Sequence, residues 1–278
     1  MVLFFLAGCS TRQIAVRMAL PLVQGQYASI QEEMDPLLAE RAIPANLKMM
    51  EGLLKEDEDN RALLMALSEG FCGYAFSFLE ETSPRRAAAM YTRGKDYALR
   101  ALAAETGIDS LDRLPRDKYA AALSNMENGN VPALFWLGQC WSGWVMLSLD
   151  NPTAFADISK VEGLMLRVLE LDPMYHYAGP HLFLGIFYGA RSRMLGGDPE
   201  KARRHFEENL KLTANRFLLT RYFYAKTYAV QVQDRKIFEK QLDTVLKTPS
   251  DVLPGQRLAN EVAKMKARRL LEAADDLF

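Results

Sequence analysis

Residues 184–212 decide the fold of this chain, and they read LGIFYGARSRMLGGDPEKARRHFEENLKL. Leu184–Gly185 is followed three residues later by Tyr188, and after a pair of glycines come Ala202 and Phe206, four residues apart. Residues at these spacings share one face of a helix, so each half of the stretch has an apolar stripe. The glycine lets a second helix approach closely. The stretch therefore predicts two helices packed as a hairpin.

The turn between these two helices has the residues that start a helix well. Asp198 suits the N-cap, Pro199 suits the first helical position, and Glu200 favours the positive end of the helix dipole. The whole order, Leu-Gly-x-x-Tyr followed by Ala-x-x-x-Phe, matches the signature of a tetratricopeptide repeat. The hairpin is thus predicted to be one unit of a repeat array.

Weaker copies of the same pattern occur at residues 61–104, 131–173 and 224–249, with uneven spacing. Helical patterns also precede the first copy, and a helix over about residues 255–277 follows the last one. The sequence therefore predicts an all-α fold. Tetratricopeptide-like helical hairpins are expected to stack into a superhelical array with capping helices at the N and C termini.

The N-terminal segment is short and apolar, and Leu6–Cys9 reads Leu-Ala-Gly-Cys, a lipobox. We interpret residues 1–9 as the remnant of a lipoprotein signal, with Cys9 as the lipid anchor, and residues 10–278 as a single helical repeat domain. A buried helix start with an incidental cysteine is the alternative. The apolar run is too short to cross a membrane, and the sequence predicts no other membrane-spanning stretch.

Composition argues against several classes of function. The chain has 34 basic and 35 acidic residues, and no concentrated basic face of the kind that binds nucleic acid is predicted. It contains three histidines, no metal-binding Cys-x-x-Cys spacing, no phosphate-binding loop and no serine elbow. We expect no enzyme, no metal and no cofactor, and we expect Cys72 and Cys140 to be buried free thiols.

The first helix of each hairpin is expected to line the concave face of the array. There the helical spacing places a layer of small residues beside a few isolated polar groups, and small-molecule sites often combine these features. The alternative is that the small residues only allow close helix packing, while Glu69 and Lys226 face solvent or each other. The candidate ligand-binding residues are Met65, Glu69, Phe135, Trp136, Gln139, Leu182, Ile186, Gly189, Tyr222 and Lys226.

Several stretches resemble a known family, the T component (TatT) of TRAP transporters. They are Leu-Ala-Gly-Cys (6–9), AIPANLKMMEGLL (42–54), NRALLMALSEGFCGYAF (60–76), the Leu-Gly-x(3)-Gly element from Leu184 to Gly189, and LGGDPEKARRHFEENL (195–210). The resemblance implies a periplasmic lipoprotein of tetratricopeptide-like hairpins that forms a homotrimer. It further implies that a cavity or channel runs through each protomer and takes a small, partly apolar solute. The resemblance also implies that the trimer docks the transporter's solute-binding protein. It carries over no catalytic residues.

Two functions remain open from the sequence. The first is the transport accessory that the resemblance implies. The second is a periplasmic tetratricopeptide scaffold that binds protein segments during envelope assembly or secretion. Peptide-binding arrays tend to present ladders of Asn, Lys and Arg on the concave face, whereas here Lys226 is the single basic residue predicted there. Ser10 after the lipidated cysteine favours the outer membrane.

Overall fold

A computed structural model describes residues 11–278, in which helices are joined by turns and loops and no strand occurs. The lipobox and Cys9 lie outside the described residues. The first α-helices are α1 (Thr11–Gln31), α2 (Pro36–Leu54), α3 (Arg61–Tyr74), α4 (Pro84–Thr106), α5 (Arg116–Ser124), α6 (Val131–Met146) and α7 (Pro152–Leu171). The others are α8 (Tyr175–Gly189), α9 (Pro199–Leu212), α10 (Leu219–Phe223), α11 (Arg235–Lys247), α12 (Arg257–Glu272) and α13 (Ala274–Leu277).

Helices α8 and α9 form the hairpin that the stretch 184–212 predicts. Asp198 caps α9 by accepting a hydrogen bond from the backbone N–H of Lys201 at 3.0 Å, and Pro199 follows it as the first helical residue. A Cβ atom at Gly185 would lie 2.9 Å from the ring of Phe206, which is fully buried. Glycine therefore sets the close approach of the two helices, as predicted.

Other consecutive helices also pack in pairs, α3 with α4 and α6 with α7. In the second of these pairs Gly138 has the role of Gly185, because a Cβ there would lie 2.9 Å from both Leu164 and Met165. The two cysteines that the structure describes, Cys72 and Cys140, are buried and free, which confirms that prediction.

Two turns depart from the regular α-helix that the sequence pattern predicts. Helix α3 continues as a π-helical turn at Ala75–Leu79, and α10 continues as a π-helical turn at Tyr224–Ala229. The N–H of Glu80 accordingly donates to the carbonyl of Ala75, five residues earlier. π-Helical turns are rare and are frequent at functional sites. The helix predicted over residues 255–277 is also interrupted, at Ala273 between α12 and α13.

The two ends of the described chain meet. Helices α1 and α2 both pack against α12. Lys266 on α12 is only 2% exposed, and its Nζ lies 2.8 Å from Oε1 of Glu81, just beyond the first π-helical turn. The rings of Phe76 and Phe223, one from each π-helical turn region, lie 5.6 Å apart between centroids. The first and last hairpins therefore contact each other and enclose space between them.

Among the described residues, one helical segment is long and apolar enough to cross a membrane. It is Arg61–Leu79, with a mean hydropathy of 1.5, and it corrects the expectation that no such stretch exists beyond the N terminus. Leu63, Leu64 and Leu67 in this segment are fully buried by other helices of the protein. The core helix of a soluble protein has the same length and composition, so the segment is weak evidence for a membrane span.

Candidate functional site

A cavity of about 470 Å³ is lined by residues from the N-terminal, middle and C-terminal helices of the described chain. Its wall combines α1, α2, α6, α8 and α12 with both π-helical turns and the helices that lead into them. The volume falls in the range of roughly 300–1,000 Å³ that is usual for sites of small molecules. Most of the lining side chains are apolar, and a few polar groups stand among them.

Seven of the ten candidate residues line this cavity. The predicted small layer contributes too, with Gly73, Ser142, Gly143 and Ala190 in the wall. The structure thus brings together residues from four different helical segments, as the helical spacing suggested. The seven are Glu69, Phe135, Trp136, Gln139, Leu182, Ile186 and Lys226.

The other three candidates are placed elsewhere. Met65 lines a smaller cavity of about 230 Å³, which Glu69 and Trp136 also border. Gly189 is a packing position, because a Cβ there would lie 2.9 Å from Oγ1 of Thr227. Tyr222 is 2% exposed and packs edge-to-face on Phe223. Among the described residues, neither Gly189 nor Tyr222 belongs to the wall of the larger cavity.

Sequence reasoning missed the parts of the wall that lie outside the first helices of the hairpins. Met50 on α2, Leu258 on α12 and Tyr27 on α1 all line the cavity. These helices carry no repeat signature, and contact between the N-terminal and C-terminal helices leaves no local signal in the sequence.

One polar group of the wall is Glu69. Burial raises the pKa of this carboxyl to about 7, although a hydrogen bond from Tyr27 opposes the shift. Tyr27 in turn accepts a hydrogen bond from Nε2 of Gln31 at 2.6 Å, and burial raises the pKa of its hydroxyl. This end of the cavity therefore has a carboxyl group that is readily protonated near neutral pH.

A second polar group lies at the first π-helical turn. The hydroxyl of Tyr91 donates to Oε1 of Glu80 at 2.5 Å, and burial raises the pKa of that carboxyl. Gly143 accommodates the Tyr91 ring, since any Cβ there would overlap it. Lys226, on the second π-helical turn, lines the cavity without an ion pair within residues 11–278, and partial desolvation lowers the pKa of its amine. Its Nζ lies 5.7 Å from the centroid of Tyr222.

The third polar group, His176, lies on an unusual piece of backbone. His176, Tyr177 and Ala178 have φ values of 45°, 60° and 53°, three consecutive non-glycine residues in the left-handed region. The sequence gives no glycine signal for this turn. The imidazole of His176 reaches the cavity wall, where its centroid lies 4.9 Å from that of Trp136.

The arrangement can bind a small molecule. Within residues 11–278 no group of three or more His, Cys, Asp or Glu side chains is placed to hold a metal ion. The other two histidines, His181 and His205, hydrogen-bond each other through Nδ1 atoms 3.0 Å apart and do not line the cavity among the described residues. Apolar walls with a few separated polar groups select a ligand by shape and hydrogen bonding.

Comparison with known proteins places the chain in a family. A protein of Treponema pallidum (strain Nichols), itself described only as uncharacterized, is 25% identical over an alignment that covers 98% of this chain and 94% of the relative. The family model for the TRAP transporter T-component matches residues 32–278, nearly the whole described chain. The protein therefore belongs to the TRAP transporter T-component family.

Proposed function

We propose that this protein binds a small, partly apolar solute in its central cavity and docks the solute-binding protein of a TRAP transporter. Members of its family are accessory components of such transporters, and the family is not a known enzyme family. Membership indicates an envelope or periplasmic location. We further propose a tetratricopeptide-like superhelical array with capping helices at both ends. In this proposal residues 10–278 form a single domain and a lipid on Cys9 anchors a homotrimer to the membrane, with the outer membrane favoured.

The cavity itself is the observation that supports solute binding. It has the volume of a small-molecule site, and its apolar wall is interrupted by a few polar groups, among them Glu69, Gln139 and Lys226. A solute with a mainly apolar body and one or two polar groups would match this wall.

The alternative is a periplasmic tetratricopeptide scaffold that binds protein segments. Such a scaffold needs several Asn, Lys and Arg side chains in a row to hold a peptide backbone, and Asn46 and Lys226 are the two residues of these types in the described wall. Lys226 is the one basic residue of this cavity wall within the described chain. The family and the apolar wall favour the transport role.

Docking can be tested by the solution mass of the lipid-free protein, measured by light scattering alone and with the TRAP solute-binding protein of the same organism. We expect a trimer that gains mass when the partner is added. A monomer whose mass does not change with the partner would contradict the docking role, and binding of unfolded protein segments would be the next measurement.

Solute binding can be tested with a cavity-filling variant. Ile186 lines the cavity, so Ile186→Trp should abolish the fluorescence gain of N-phenyl-1-naphthylamine, an uncharged apolar probe. Leu166→Trp is the matched control, because Leu166 lies on α7, is 37% exposed and is not part of the described cavity wall. Equal probe binding by both variants and the wild type would show that the probe does not enter the cavity.

A further inference from the structure

His176 is held at the cavity wall by a strained turn. Three successive left-handed residues of the L configuration cost about 1–2 kcal/mol each, and such backbone persists only where the surrounding structure fixes it. The side-chain amide of Asn209 does so here, donating to the carbonyls of Tyr177 at 2.9 Å and Ala178 at 2.8 Å. Oδ1 of Asn209 accepts from the hydroxyl of Thr220 at 2.5 Å. The turn is therefore a built feature of the cavity.

Gly179 follows the turn, and its lack of a side chain leaves space for an aromatic ring. A Cβ atom at Gly179 would lie 2.6 Å from the ring of Phe135, so glycine allows Phe135 to pack beneath the turn. Phe135 lies edge-to-face against Trp136 at 5.2 Å and tilted against His176 at 5.5 Å, between ring centroids. Aromatic rings thus surround the imidazole on its protein side.

The imidazole of His176 has no hydrogen-bond partner within residues 11–278. Its ring lies within 5.5 Å, between centroids, of the rings of Phe135, Trp136 and Tyr177. Burial lowers its pKa to about 4, so the ring is neutral at physiological pH. A neutral imidazole has one N–H donor and one acceptor nitrogen. His176 is half-buried and lines the cavity, so a solute there can reach the unpaired imidazole.

The cavity wall has little positive charge to attract an anionic ligand. Lys226 is the one basic side chain in the described wall, whereas the carboxyl groups of Glu69 and Glu80 are neutral when protonated and negative when ionised. The neutral imidazole offers no compensating charge. An uncharged hydroxyl or N–H group, in contrast, can exchange a hydrogen bond with either ring nitrogen.

We propose that the solute is an uncharged compound with a flat ring and a hydroxyl or N–H group, which hydrogen-bonds to the imidazole of His176 and packs its ring against Trp136. The proposal rests on solute binding in the cavity and specifies the class of solute. Flat rings gain from edge-to-face and offset contacts with aromatic side chains beyond simple burial. Phe76 and Phe223 line the cavity as well and supply further ring surface.

The test uses four matched competitors that displace N-phenyl-1-naphthylamine from the wild-type protein. We expect 2-naphthol to displace the probe at the lowest concentration. Naphthalene lacks the hydroxyl, decahydro-2-naphthol lacks the flat rings, and 2-naphthoate adds a charge, so each should bind several-fold more weakly. Tighter binding of 2-naphthoate than of 2-naphthol would indicate that the polar group of the ligand pairs with Lys226 rather than with His176, and would overturn the proposal. Equal displacement by all four would overturn it too, while leaving solute binding in place. Absence of probe binding would instead contradict the proposed function.

A variant tests the histidine directly. His176→Asn keeps a residue type that tolerates left-handed backbone but shortens the side chain, and it should weaken 2-naphthol by about tenfold, the value of roughly one hydrogen bond. Naphthalene should bind the variant nearly as well as it binds the wild type. His181→Asn is the matched control, because His181 is on the same helix and outside the described cavity wall. Equal losses for both competitors would mean a structural effect and contradict the role of His176. If His176→Asn does not fold, the wild-type competition decides.

Discussion

Asn209→Ala should release the left-handed turn that carries His176. Asn209 is fully buried and makes three side-chain hydrogen bonds, two of them to carbonyls of the turn. At about 1 kcal/mol each, their loss should lower the free energy of unfolding by about 3 kcal/mol. Without them the strain of about 1–2 kcal/mol per left-handed residue favours relaxation of the turn.

Asn260→Ala provides a matched control elsewhere in the fold. Asn260 is also fully buried and also makes three hydrogen bonds, accepting from the N–H of Leu218 at 2.9 Å and donating to the carbonyls of Arg216 and Ser250 at 3.1 Å. It should lose a similar amount of stability, which urea unfolding measures for both variants. Only Asn209→Ala should loosen the local structure at residues 176–178.

Amide hydrogen exchange distinguishes them. The N–H of Ala178 donates to the carbonyl of Met174 at 3.1 Å within the turn. In Asn209→Ala we expect the Ala178 N–H to exchange faster than the loss in the free energy of unfolding explains. In Asn260→Ala we expect its exchange rate to match that loss. Equal protection of Ala178 in the two variants would refute the view that Asn209 holds the turn against strain.

Two further predictions concern packing and pH. Gly185→Ala should lower the free energy of unfolding by about 1–3 kcal/mol by overpacking, since its Cβ would lie 2.9 Å from Phe206. Gly163→Ala, whose Cβ would lie 3.8 Å from Leu123, should instead raise it by up to about 1 kcal/mol. Urea unfolding measures both changes, and changes of the same sign would contradict the packing argument. The folded-state pKa of about 7 at Glu69, above the usual 4.5, means that the folded protein binds an extra proton between these values. The stability of the wild type relative to Glu69→Gln should therefore fall as pH rises from 4.5 to 7, and parallel melting profiles would exclude a buried carboxyl.

The features predictable from the sequence have local causes. The hairpin of α8 and α9 follows from helical spacing, from the N-cap Asp198 and from the absence of a side chain at Gly185. Much of the cavity wall follows in the same way, since Gln139, Ile186 and Lys226 fall on the inner faces of first helices. Periodicity and capping act within a few residues, and they can be read without knowledge of distant contacts.

The features that escaped prediction depend on distant contacts or on backbone without a local signal. The left-handed turn at His176 contains no glycine and is held by Asn209, which is more than thirty residues away in the chain. Gly189 has the helical spacing of a lining residue, but its neighbour Thr227 belongs to a π-helical turn that packs directly against it. Tyr27 reaches the cavity only because α1 folds back over the later helices.

The contact between the first and last described helices limits how the protein can evolve. In an open repeat protein each unit contacts only its neighbours, so copies can be gained or lost without harm to the others. Here α12 contacts both α1 and α2, and Lys266 pairs with Glu81 across 185 residues of sequence. A duplicated hairpin would separate these partners and leave Lys266 buried without a counter-charge. This closure therefore constrains the number of helical hairpins, and variation in length is expected in the connecting loops.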